Sequence, residues 1–399
     1  MRSIVSVFAI CVLVAGAIAG RSAAGGGGPG QDNPPFGYGP NTAYARALGF
    51  CNVHKSEGRL RSCLIDQLLG LVVRSHDPAN ELPRIDKYVE TAGGYLLANC
   101  HVIMHSVGRR YGREADVTLA RLRDYLPRTN DANCSAGFAH GLLTYLAPQL
   151  GALTPKKAAA QCYRAATRYQ RYSCIHGFGH AYMRLYAEQL PYALKSCRLL
   201  GPANAADCAA GAFHDYWIAV SGLDDTRRPA DLITTPRVLC AKDSAGFVRG
   251  CWYRALLERP PPEPIRTAAD VRAACRGLTG AQRAGCVTAA AVVSTDDPFA
   301  QMRLCASLRA GGAADCVRGV RAPDLGGSPL SEQVRLIRQC AQVVHAAQAA
   351  CYRWLGLALN VVADGRFEAK GCADLRFDAT RRSCRLGAKA YEGPLETFS

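Results

Sequence analysis

The stretch "CRLLGPANAADC", residues 197–208, sets two cysteines on either side of a Gly-Pro-Ala-Asn turn. Its Leu-, Ala- and Arg-rich flanks favour helix, and Gly-Pro closes one helix and opens the next. A cysteine at the end of helix A and one in the first turn of helix B then face each other across a helical hairpin, within disulfide range. The spacing recurs. Cys51 and Cys63, Cys162 and Cys174, Cys197 and Cys208, Cys240 and Cys251 are pairs 11 or 12 positions apart. So are Cys275 and Cys286, Cys305 and Cys316, Cys340 and Cys351, and Cys372 and Cys384. Turn residues such as Asp243-Ser244-Ala245-Gly246 and Gly311-Gly312 lie between members. Each bridge closes a small loop and stabilises its hairpin by about 3 kcal/mol.

Cys100 and Cys134 lack a partner at this spacing but fit the helix-B position. Helix-B cysteines then fall at 63, 100, 134, 174, 208, 251, 286, 316, 351 and 384, in steps of 30 to 43 residues, the period of stacked helical pairs. The economical pairing joins Cys100 to Cys134 across neighbouring repeats. The fold class expected is therefore all-α: a disulfide-stapled α-solenoid of about ten two-helix repeats. The period is similar to that of tetratricopeptide arrays, but their residue pattern is absent.

The N-terminus sets the compartment. Arg2, the apolar run from Ile4 to Ile18 and Ala17-Ile18-Ala19 read as a secretory signal peptide over 1–19. Removing it takes away Cys11 and leaves 18 cysteines, an even number, which implies nine disulfides in a secreted or periplasmic protein. A Gly/Pro-rich flexible leader follows over 20–43. An N-terminal lobe over 44–258 and a C-terminal lobe over 265–399 are divided by the Pro-rich break 259–264. No later stretch has membrane-spanning length, so the mature chain is not expected to be an integral membrane protein. The formal charge of +16 favours an anionic envelope or extracellular component as partner. Basic residues form no run longer than two, which argues against nucleic acid.

Histidine is concentrated. Six of the nine histidines lie in the first two turns of four consecutive B helices, in "CHVIMHSVGRR" (100–110), "CSAGFAHG" (134–141), "CIHGFGHAY" (174–182) and "CAAGAFHDYW" (208–217). His140, His180 and His214 each stand six positions after a helix-B cysteine; the same slot holds Leu69, Leu257 and Val292 in other repeats. At 100° per residue, His176 and these three point 200° to 240° away from the bridge, on one face. His101 and His105 fall at 100° and 140°, and because Cys100 lacks the standard partner, that helix is expected to be rotated. Nearby positions are small: Gly137, Gly141, Gly177, Gly179 and Gly211. Chance predicts about 0.2 histidine pairs at spacing four, and the chain has two, His101 with His105 and His176 with His180.

A histidine pair at spacing four can hold one ion from one helix face, and a third imidazole completes a set. The order suggests His101, His105 and His140 as one metal set, and His176, His180 and His214 as the other. Three plus three histidines, each set with one HxxxH, is similar to the ligand set of coupled dicopper proteins. The likeness covers six residues, and those proteins use antiparallel helices whereas solenoid B helices run parallel. Imidazole-only ligation suits copper or zinc. Asp215 adjoins His214 but leaves its helix about 100° away, which makes it a poor ligand. Arg109, Arg110, Tyr182 and Tyr216 are candidate substrate contacts. Trp217, Trp252 and Trp354 read as core, and His54, His76 and His345 fall outside the cluster.

Three functions fit these residues. The first is an exported metal-binding protein, extending to a copper-dependent oxidoreductase; a metal-dependent hydrolase would use zinc. The second is a metal-free helical-repeat binding or scaffold protein of the envelope or extracellular space. The third is a metal-free hydrolase or transferase with a histidine base, for which no nucleophile stands in a recognised setting. No CxxCH, HExxH or GxSxG motif occurs.

Overall fold

A computed structural model describes residues 43–54, 56–126, 133–163, 168–221, 235–242, 246–295, 297–320, 338–362, 370–373 and 375–389. The signal peptide and, apart from Ala43, the leader lie outside the described residues. All regular structure among the described residues is helical. The helices are α1 (Ala43–Gly49), α2 (Glu57–Ser75), α3 (Pro78–Ala92), α4 (Gly94–Glu114), α5 (Asn133–Tyr145), α6 (Ala147–Gly151), α7 (Pro155–Cys162) and α8 (Arg168–Leu185). There follow α9 (Leu190–Arg198), α10 (Pro202–Ser221), α11 (Pro236–Lys242), α12 (Val248–Glu258), α13 (Ala268–Ala274), α14 (Gly280–Ser294), α15 (Pro298–Ala306) and α16 (Ala310–Arg318). Helices His345–Val362, Lys370–Ala373 and Asp378–Lys389 complete the series, and short 3-10 helices cover Phe50–Val53 and Leu119–Tyr125. Residues 259–264 form an irregular connection.

Local chemistry sets the helix starts. Pro78, Pro155 and Pro298 sit in the first turn, where a missing N–H costs nothing. The preceding Asp77, Thr154 and Asp297 side chains accept backbone N–H groups of that turn. Thr267 and Asp270 form a reciprocal capping box on α13.

The nine disulfides follow the spacing. Cys51 is bonded to Cys63, Cys162 to Cys174, Cys197 to Cys208 and Cys240 to Cys251. Cys275 is bonded to Cys286, Cys305 to Cys316, Cys340 to Cys351 and Cys372 to Cys384. These are the eight local pairs expected, and the ninth bond joins Cys100 to Cys134, also as expected. The Cα–Cα distances run from 5.1 Å for Cys100 and Cys134 to 5.8 Å for Cys275 and Cys286. All ten helix-B cysteines, Cys63, Cys174, Cys251 and Cys351 among them, lie on helices. Each B helix packs on the next, from α2 through α4, α5, α8, α10, α12, α14 and α16 to the last two. Contacts between neighbours advance in the same direction along both helices: Gly137 meets His101 and Gly141 meets His105. The B helices therefore run parallel.

Glycine makes the approach close. A Cβ on Gly141 would lie 1.9 Å from the His105 carbonyl oxygen, and one on Gly211 would lie 1.9 Å from that of His176. Only a residue without a Cβ lets backbone meet backbone at this distance. Around these seams lies the core, with Phe138, Phe178, Phe213, Trp217 and Trp354 fully buried and Trp252 half-buried. One large apolar cluster spans residues between Ala45 and Ala255, another those between Ile265 and Cys384. A small group including Ala210, Tyr253 and Ala289 packs where α10, α12 and α14 meet.

Candidate metal centre

Helices α4, α5, α8 and α10 turn their histidines towards one point. Within α4 the His101 and His105 rings are 4.9 Å apart, and within α8 those of His176 and His180 are 5.2 Å apart. These two HxxxH pairs face each other, with His105 and His180 in edge contact at 4.7 Å. His140 of α5 lies against both pairs, 5.2 Å from His101 and 4.9 Å from both His176 and His180. His214 of α10 also touches both, 5.4 Å from His101 and 5.2 Å from His180. Contact between α4 and α10, three B helices apart in the row, means the solenoid is tightly wound here.

The rotation expected of α4 has a visible cause. Cys100 bridges sideways to Cys134 on α5 rather than to a helix A. Directions measured from Cys100 are turned relative to those in α8 and α10, so His101 and His105 reach the cluster from a different phase. The glycines serve the same end. Gly177 faces Leu143 and His140 of α5, while Gly179 faces the α10 backbone at Cys208 and Ala212. The two glycines of "HGFGH" thus let α8 sit between α5 and α10.

Ligand atoms of His101, His105 and His140 lie within 4.8 Å of one another, and so do those of His140, His176 and His180. Either triad can hold a metal ion. The first is the set expected from sequence. The second closes on His140 where the sequence order suggested His214: the His140 ring is 4.9 Å from both His176 and His180, whereas that of His214 is 5.8 and 5.2 Å from them. Five of the six histidines are at most 9% exposed, and His180 is completely buried; His101 is half-buried.

Burial prepares the imidazoles as ligands. Desolvation holds His105, His140, His176 and His214 well below the ordinary histidine value, and neighbouring imidazoles push the same way. The Arg254 guanidinium adds to this at His140, His176 and His214. At neutral pH these four are therefore uncharged, the form that binds metal. The Nδ1 atoms of His140, His176 and His214 are buried and make no hydrogen bond among the described residues. Leaving such an atom unpaired costs about 1–3 kcal/mol, which coordination would remove.

Carboxylates hold two of the rings. His180 donates its Nδ1–H to Asp215 Oδ1 at 2.9 Å, which leaves Nε2 for a ligand role. His214 Nε2 lies 3.4 Å from Glu258 Oε1, and Glu258 also pairs with Arg254 at 3.6 Å. Ser173 Oγ is 3.3 Å from His140 Nε2. Asp215 and Glu258 each occupy the seventh position after a helix-B cysteine and each meets the sixth-position histidine of the preceding B helix. Sequence reasoning missed these partners. The recurring seventh slot was the available signal: two turns past the cysteine, it points back towards the preceding repeat.

Three of the four remaining candidates are engaged elsewhere. Arg110 pairs with Asp66 at 2.5 Å. Tyr182 is buried against Phe178 and Tyr186, and Tyr216 against Trp217. These tyrosines belong to the packing. Arg109 lies close enough to His105 to disfavour its protonation. No protein-family model, curated protein or solved structure matches the chain.

Proposed function

We propose that the protein is an exported metalloprotein whose six histidines hold a two-ion centre of copper or zinc. The observation that carries this is the convergence of two HxxxH pairs and two single histidines, from four helices, into one buried cluster, in which the ligand atoms of His101, His105 and His140, and those of His140, His176 and His180, lie within 4.8 Å of one another. Six imidazoles supply three for each of two ions, one HxxxH pair each, with His140 and His214 standing between the pairs. The donor set is nitrogen only, and the carboxylates sit behind the ligands, where they orient rings and raise basicity. Nine disulfides fit a chain that folds in an oxidising compartment. No described helix is long and apolar enough to cross a membrane.

Copper would supply one-electron redox chemistry and zinc Lewis acidity. Copper is the preferred ion, since an imidazole site binds it more tightly than zinc, and the finer reading is then an oxidoreductase. His101 marks the side from which an ion or reactant enters, being the most exposed of the six.

The test is metal analysis of protein recovered from an oxidising compartment and equilibrated with micromolar copper and zinc. About two ions per chain are expected, and a His176→Ala/His180→Ala variant with its disulfides intact should lose at least one of them. Wild-type protein that retains neither metal, or a variant with full metal content, would overturn the proposal and leave the metal-free binding protein as the reading.

A further inference from the structure

The second half of the chain carries a different kind of site. A cavity of about 630 Å³ lies between two successive disulfide-closed turns, and Arg272, Arg276, Arg283 and Arg309 line it. Arg276 and Arg283 fall inside the loop closed by Cys275 and Cys286, and Arg309 inside that closed by Cys305 and Cys316. No acidic residue lines the cavity. None of the four guanidinium groups makes an ion pair or side-chain hydrogen bond among the described residues.

Three carboxylates of this region are committed elsewhere. Asp270 accepts from the Thr267 backbone and hydroxyl, Asp297 from Phe299 N–H with Arg303 alongside, and Asp315 is bound by Arg249 and Arg318. Four exposed arginines therefore face one cavity with no acidic residue in its lining, an arrangement that favours an anion. Two helix ends add to the field. The cavity lies at the start of α14 and of α16, whose N-cap residues Thr279 and Arg309 make no side-chain cap. Their first-turn N–H groups carry partial positive charge. The floor is apolar, formed by the buried Val271, Leu278 and Leu308.

We propose that this cavity binds an organic phosphate: a phosphate held by the arginine rim and a short apolar body resting on the floor. Guanidinium groups match phosphate oxygens in bidentate pairs. The volume is that of an ordinary small-molecule site. A phospholipid headgroup and a soluble phosphoester share this chemistry.

Calorimetry on the full chain tests it with three probes: dihexanoyl phosphatidic acid, inorganic phosphate and dihexanoylglycerol. The phosphatidic acid should bind, and Arg276→Gln/Arg283→Gln should weaken it at least about tenfold. Arg113→Gln/Arg385→Gln removes the same charge from exposed positions outside the cavity lining and should leave binding unchanged. If inorganic phosphate binds comparably, the source is a soluble phosphoester; if the acyl chains are needed, it is a lipid. Equal losses in both variants, no effect of the cavity variant, no binding at all, or equal binding of dihexanoylglycerol would each overturn the proposal.

Discussion

The His180 imidazole and the Asp215 carboxylate meet at 2.9 Å across the seam between α8 and α10. The carboxylate fixes the tautomer by taking Nδ1–H, and the ring then offers Nε2 to the cluster. Such contacts behind a metal ligand govern affinity because a ring free to rotate must be ordered on binding.

Asp215→Asn should therefore lower metal affinity about 10- to 100-fold while leaving the fold intact. A competition titration against a chromophoric chelator reads the affinity, and circular dichroism reads the fold. Unchanged affinity would remove Asp215 from the centre.

His140 belongs to both triads and His214 to neither. His140→Ala should consequently reduce bound metal more than His214→Ala does. Mass-spectrometric metal counts per chain distinguish them, and a larger loss for His214→Ala would reverse the assignment of the shared ligand.

Gly141→Ala puts a methyl 1.9 Å from the His105 carbonyl oxygen, against backbone that cannot swing aside. The expected cost is about 3 kcal/mol, as in an overpacked core, together with weaker metal binding as α4 and α5 separate. Gly58→Ala is the contrast. Its added methyl meets nothing within 4 Å, and it should stabilise α2 by up to about 1 kcal/mol. Chemical unfolding of both variants checks the pair.

Acid should destabilise the metal-free protein early. His105, His140, His176 and His214 hold values well below 6.5 when folded and recover it on unfolding. Below that pH the unfolded chain binds protons that the folded chain refuses, so stability is full above 6.5 and falls as pH drops beneath it. Each group contributes a slope of about 1.4 kcal/mol per pH unit until its folded form also protonates. Urea midpoints at pH 7.5 and 5.5 measure the effect, and equal midpoints would refute it.

The repeat architecture was legible because disulfides need facing cysteines, and a fixed interval of 11 or 12 residues, as from Cys162 to Cys174 or Cys340 to Cys351, admits only a tight hairpin. The shared direction of His140, His176, His180 and His214 was legible for the same reason: the cysteine supplies a phase origin for each helix. What the interval does not carry is the angle between successive repeats. That angle comes from glycine seams such as Gly141 on His105 and Gly211 on His176, where close approach sums over several interfaces. Whether His101 would reach His214 was therefore hidden, as was the exchange of His214 for His140 in the second triad. Asp215 is not among the ligand groups, as its direction implied, but its role behind His180 was missed because it was compared with His214 on its own helix, whereas its partner is on the helix before.

From Cys51 onward every cysteine is bonded to its neighbour in the order of the chain, Cys51 with Cys63 first and Cys372 with Cys384 last. A polypeptide threading through a translocation pore from its N-terminus presents its thiols in the same order. An oxidase that joins each newly emerged thiol to the one still waiting would reach the native connectivity on its first pass. Eight waits last 11 or 12 residues; only Cys100 is held open for 34. Reshuffling by an isomerase has no native bond to correct. Forming these bonds in one pass thus calls for an oxidising compartment that the thiols enter in chain order, with the interval between Cys100 and Cys134 as its one exposed step.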